Sequence, residues 1–119
     1  MVFLYRPDCK ECMMVKAWLD KHGVIYEERD MNTQPPDANE LLEWSDKGRL
    51  GLKYFLMPRR FSLRMLLLNN QMALAEGFTK AYIIAAAAEH ITCPILVGDD
   101  FVVLGTNNAQ WRKVLNIHD

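Results

Sequence analysis

At 119 residues, half of them hydrophobic and carrying a formal net charge of −1, the chain has the makeup of one folded domain that buries about two thirds of its surface. It lacks the global charge bias of a nucleic-acid or anionic-membrane binder. Its apolar runs are broken by charge well short of the roughly 20 residues of a membrane span, and the opening MVFLYRPD is too brief for a secretory core, so a cytoplasmic protein without membrane contact is expected.

Val2 to Tyr5 is a short β-prone run stopped by Pro7 and Asp8, and reads as a buried first strand. From Cys9 onward, Cys12, Val15, Trp18 and Leu19 recur at helical spacing, with His22-Gly23 as the C-terminal stop. Val24, Ile25 and Tyr26 form a second β-like run. A strand-helix-strand unit of this length predicts a parallel pair joined by a right-handed crossover.

After the polar loop DMNTQPPD, Asp37 with Glu40 three residues on forms a capping-box pattern that opens a helix ending at Lys47-Gly48. A second helix is predicted from Pro58 to Asn69-Asn70, and a third from a Thr79 cap through KAYIIAAAAEH. Residues of about 37 to 90 therefore read as a helical insert within one domain spanning 1–119. ITCPILVGDDFVVLG then gives two apolar runs around Gly98-Asp99-Asp100, a β-hairpin signal. Thr106 or Asn107 caps a final helix that packs through Trp111, Val114 and Leu115.

Cys9 and Cys12, three apart at the first strand-to-helix turn, admit three readings: a metal half-site, a redox couple, or two packing residues. His22, His90 and His118 are scattered and there is no second Cys-x-x-Cys, so a four-ligand zinc site is not expected and no metal is assigned. At a helix start, unpaired backbone N–H groups and the positive end of the dipole stabilise a thiolate, and a cysteine one turn later lies close enough for a reversible disulfide. In the redox reading Cys9 is the exposed nucleophile and Cys12 the more buried resolving thiol. Lys10 favours the thiolate, whereas Asp8 and Glu11 oppose it.

The charges are unevenly placed. Residues 1–46 hold ten acids and five bases, while 47–75 hold six bases and no acid. This stretch is either a surface for an acidic protein partner, less readily for nucleic acid, or simply the solvated side of helices, and the solvated face is the preferred reading.

The order βαβ, helical insert, ββα, with Cys-x-x-Cys at the first turn and Pro94 opening the third strand, resembles the thioredoxin-like, glutaredoxin-type fold: an α/β architecture on a four-stranded mixed sheet. That resemblance implies a cis Pro94 facing the cysteines and shaping where a partner thiol docks, with Cys93 and Thr92 beside it. Cys93 is then either a packing residue or a third sulfur, able to compete for Cys9 or to join Cys9 and Cys12 on a soft metal.

Three segments, "LYRPDCKECMMVKAWLDKHGVIYEERD", "LLEWSDKGRLGLKYF" and "CPILVGDDFVVLGTNNAQW", are similar over nearly the whole chain to the arsenate reductase (ArsC)/Spx family. The resemblance implies a thiol-disulfide redox protein, either a reductase of a protein or glutathione mixed disulfide or a Spx-like redox-switched regulator binding the RNA polymerase α subunit. Expected partners are thus a protein or a low-molecular-weight thiol. No bound cofactor is expected, with glutathione a co-substrate at most. In the Spx-like reading Gly48 matches a glycine at the polymerase interface, and it also reads as a helix cap. Family arsenate reductases carry Ser and Arg after the catalytic cysteine and Arg before the proline. Cys12, Met13 and Cys93 stand at those positions, so efficient arsenate reduction is not expected.

Overall fold

The computed structural model describes residues 1–56, 75–106 and 108–116, which group into two compact units: Met1–Gln34 with Cys93–Asp119, and Pro35–Thr92. The helix expected from Pro58 to Asn69-Asn70, with Arg59, Arg60 and Arg64, lies outside the described residues, as does Asn107.

The first unit contains the sheet. Strand β1 (Val2–Tyr5) is followed by helix α1 (Lys10–Lys21) and strand β2 (Glu27–Asp30); β3 (Ile95–Val97) and β4 (Val102–Leu104) form the hairpin. The strand order is β2-β1-β3-β4, with β1 parallel to β2 and antiparallel to β3, and β3 antiparallel to β4. This is the four-stranded mixed sheet expected of the thioredoxin-like fold.

Register explains the core. Phe3 pairs with Leu96, which pairs with Val103, so the three side chains form a row on one face of the pleat. Val15 and Leu19 of α1 close over that row together with Trp111 of the last helix. Phe3 is the hub of an aromatic group, stacked on Tyr5 and edge-on to Tyr26 and Trp111. Each buried side chain of this size contributes about 1.5–3 kcal/mol of transfer free energy.

The second strand differs from expectation. Val24 to Tyr26 is not strand, and Ile25 is 89% exposed. Pairing begins at Glu27, whose N–H donates to the Met1 carbonyl, and ends with Met31 N–H on Tyr5. Two local facts displace it. Gly23 turns the chain at φ +67°, and Tyr26 uses its ring to pack on Phe3. The charged strand EERD suits its place at the sheet edge, where charged side chains oppose pairing with another chain.

In the second unit, α2 (Ala38–Gly48) has the predicted capping box, Glu40 N–H donating to Asp37 Oδ1 at 2.8 Å and Asp37 N–H to Glu40 Oε1 at 3.2 Å. Its cap is not Gly48, however. Gly48 is the last helical residue, and the left-handed position falls on Arg49 at φ 53°. The Arg49 and Leu50 N–H groups donate to the Asp46 and Ser45 carbonyls, so these two acceptors of the last turn are satisfied without a glycine at the cap.

Helix α3 (Gly77–Ala86) packs on α2. It starts before the expected Thr79 cap, with Glu76 at the N-cap, and it stops short of His90. Ala87 leaves helical geometry at ψ 47°, and Ala88–His90 continues as a 3-10 turn. High alanine content therefore does not carry the helix through to His90. Helix α4 (Asn108–Leu115), in the first unit, packs through Trp111 with Val114 and Leu115 as read from the sequence.

Candidate functional site

Strand β1 delivers the chain to the site and a turn reverses it. After Tyr5, Cys9 N–H donates to the Arg6 carbonyl at 3.0 Å, and the Cys9 carbonyl accepts from Met13 N–H at 3.2 Å. Cys9 is thus the N-cap of α1, in extended geometry at φ −98°, ψ 115°. Cys12 follows within the first turn on the buried face shared with Val15 and Leu19 and is fully buried, whereas Cys9 is half-buried. The Asp8 carboxylate accepts from Asn32 Nδ2 at 2.9 Å, and this bond holds its pKa below the usual value.

The third sulfur comes from the far end of the chain. The Cys93-Pro94 bond is cis, Pro94 is fully buried, and its carbonyl accepts from Gly105 N–H at 2.9 Å. Cys93 Sγ lies 3.7 Å from Cys9 Sγ. The sulfurs of Cys9, Cys12 and Cys93 all fall within 4.8 Å of one another, and all three are free thiols. The sequence allowed for a third thiol here, and the fold brings it in.

Thr92 and Gly48 have different surroundings. Thr92 N–H donates to the Phe55 carbonyl at 2.7 Å and its hydroxyl to the Tyr54 carbonyl at 3.3 Å, which fixes the segment entering Cys93. Gly48 ends α2 in the second unit.

The acidities of the three thiols diverge. The thiols of Cys12 and Cys9 donate toward Cys93 and the Arg6 guanidinium lies beside it; despite burial, these lower the Cys93 thiol to about 6. Burial is the largest effect on Cys9 and pushes its thiol up, against the stabilising Cys12 N–H. Cys12 is pushed up further, by its hydrogen bond to Cys93 and by burial. Cys9 Sγ also lies 3.5 Å from the Glu11 carboxylate. The cluster therefore holds its first negative charge on Cys93, a placement that sequence reasoning missed. Its signal was Arg6, one residue past β1, but only the pairing of β1 with β3 brings it to Cys93.

A groove of about 320 Å³ opens along α1, lined by Glu11, Met14, Val15, Trp18 and Thr106. Met14 and Trp18, four apart on the helix, give it an apolar wall. Met13 is 41% exposed and offers no donor to an oxyanion.

The chain is similar to several known proteins. A glutaredoxin family model matches residues 1–51. The global transcriptional regulator Spx of Streptococcus mutans is 39% identical over 117 residues, covering 97% of this chain and 83% of that protein. The Bacillus subtilis protein YusI is 26% identical, covering 95% and 96% of the two chains. Among solved structures, a possible arsenate reductase from S. mutans UA159 superposes with a TM-score of 0.79 at 27% identity, covering 98% and 97%. No described helix is long and apolar enough to cross a membrane. With the sheet order, the cysteine turn and a 39% identical relative matched over 97% of this chain, the chain belongs to the ArsC/Spx family of thioredoxin-like proteins.

Proposed function

We propose that this protein is a cytoplasmic thiol-disulfide oxidoreductase acting on a mixed disulfide of a protein or glutathione, with Cys9 as nucleophile and Cys12 as resolving thiol. The observation that carries this reading is the graded thiol cluster at the start of α1: a half-buried Cys9, a buried Cys12 one turn on, and an acidic Cys93 3.7 Å from Cys9.

Cys9 gives its proton to the Cys93 thiolate and attacks one sulfur of R–S–S–R′, forming Cys9–S–S–R and releasing R′–S⁻. Cys12 then attacks Cys9 sulfur, its proton goes to the departing R–S⁻, and a Cys9–Cys12 disulfide remains. Two glutathione-class thiols reduce it, leaving as their own disulfide. Cys93 accepts the Cys9 proton because its thiolate is the most stabilised of the three. The apolar groove beside Met14 and Trp18 offers a surface for the non-reacting part of the substrate.

A second reading is favoured by the Spx relatives: the same thiols act as a switch that gates binding to the RNA polymerase α subunit, with Gly48 at the interface. The two readings differ in turnover. Reduction of a glutathionylated peptide by the purified protein, with glutathione and glutathione reductase, should be catalytic in wild type and lost in Cys9→Ala. Stoichiometric oxidation without turnover, together with α-subunit binding that persists in a Cys9→Ala, Cys12→Ala variant, would overturn the oxidoreductase reading in favour of the switch.

A further inference from the structure

The disulfide chemistry forms its product from two sulfurs, yet the fold gathers three. Two-electron oxidation of the cluster leaves one thiol over, whereas a thiophilic ion engages all of them. We propose that Cys9, Cys12 and Cys93 form a three-thiolate site for a divalent d¹⁰ ion of the zinc class, with a fourth position open to an exogenous ligand.

The spacing supports this. A tetrahedral ion with metal–sulfur bonds of about 2.3 Å holds its sulfurs about 3.8 Å apart. Cys9 and Cys93 already stand at 3.7 Å, and no pair in the cluster exceeds 4.8 Å. Closing around an ion therefore asks only for small side-chain rotations. Cys9 and Cys12 also have the two-residue separation of a zinc half-site, and the third ligand enters from the segment leading into β3, which pairs directly with β1.

Donor type and charge agree with the geometry. Thiolates select soft ions over magnesium or calcium, which take oxygen ligands. Three thiolates and a divalent ion leave one negative charge, and the Arg6 guanidinium beside Cys93 offsets it. Cys9 and Cys93 are both half-buried, so the cluster is not sealed and a water or an external thiol can complete the shell. Binding displaces the thiol protons to solvent and changes no oxidation state. It also withholds the nucleophile until the ion leaves, so occupancy and thiol exchange exclude one another. The site itself requires no turnover.

The test uses the full chain, reduced and stripped with a chelator under anaerobic conditions, and zinc(II) delivered in competition with a chromogenic chelator. One equivalent should bind. Cys93→Ser should weaken it by more than the about tenfold to hundredfold that loss of a supporting group costs, with folding checked by circular dichroism. Cadmium(II) bound to the wild type gives a second readout, a sulfur-to-metal charge-transfer band of three-thiolate intensity. Equal affinity in wild type and Cys93→Ser, or a two-thiolate cadmium spectrum, overturns the site. Disulfide exchange assayed on the stripped protein reports separately on the oxidoreductase reading, so either can fail alone.

Discussion

Cys9 and Cys93, 84 residues apart in the chain, place their sulfurs 3.7 Å from each other. Charge at this pair is held by Cys93, beside the Arg6 guanidinium, while burial raises Cys9. A limiting dose of a haloacetamide at pH 7 should therefore label Cys93 first and Cys12 last, since alkylation follows the thiolate and Cys12 is both buried and the least acidic. Labelling of Cys93 against pH should rise with a midpoint near 6. In Arg6→Ala that midpoint should move up by about one unit, because a nearby opposite charge favours the ionised form. Peptide mass spectrometry reads both. Preferential labelling of Cys9 would reverse the order of acidities.

Arsenate should not oxidise these thiols at an enzymatic rate. An oxyanion held against a thiolate needs converging donors, typically Arg forks. Where family arsenate reductases carry arginines, this chain has the half-exposed Met13 and the sulfur of Cys93, and Arg6 is already engaged beside that sulfur. Incubation of reduced protein with arsenate and a glutathione-class reductant should leave NADPH consumption at background in a coupled assay. Steady arsenate-dependent turnover would show that another donor set serves the anion.

What the sequence made legible was local. The Cys-x-x-Cys turn, the Asp37–Glu40 capping box and the Gly98 hairpin each depend on residues within a few positions of one another, and all are present. What it concealed was set by pairing across the fold. Val24 to Tyr26 has stronger β propensity than EERD, but hydrogen bonding from Met1 to Tyr5 selects Glu27 to Asp30. Gly48 looked like a helix cap because glycine tolerates positive φ, yet Arg49 takes that conformation when the carbonyls of the last turn find donors. Likewise, no spacing rule reveals that Arg6 and Cys93 meet, since that depends on β1 lying against β3.

Trp111 joins the last helix to the sheet in two ways, and substitution can separate them. Its ring is fully buried against Phe3, and its Nε1–H donates to the Gly105 carbonyl at 2.9 Å. Trp111→Phe keeps most of the apolar contact but removes the donor, and should cost about 1–2 kcal/mol. Trp111→Ala also leaves a cavity under Phe3, Leu96 and Val103 and should cost about 3–5 kcal/mol. Urea unfolding followed by circular dichroism gives both values. Equal losses would mean that the hydrogen bond, rather than the packing, dominates.

Tyr26 and Asp20 form a link whose contribution should fade at both ends of the pH scale. The Tyr26 hydroxyl donates to Asp20 Oδ1 at 2.6 Å, and Lys16 Nζ lies 3.2 Å from Oδ2 of the same carboxylate. The bond from Tyr26, with help from Lys16, lowers the Asp20 pKa. Burial, then the Asp20 bond, raises that of Tyr26 against the opposing effect of Lys16. Because the folded Asp20 value lies below the unfolded one of about 3.9, its contribution is complete above that pH and is lost as pH falls through the folded value. The Tyr26 value lies above the unfolded one of about 10, so its contribution is complete below pH of about 10 and is lost as pH rises through the folded value. The stability difference between wild type and Tyr26→Phe should therefore be level from about pH 5 to 9 and shrink on either side. Urea unfolding of the two proteins across this range measures it, and a difference that stays constant at both extremes would show that the hydroxyl is not coupled to the carboxylate.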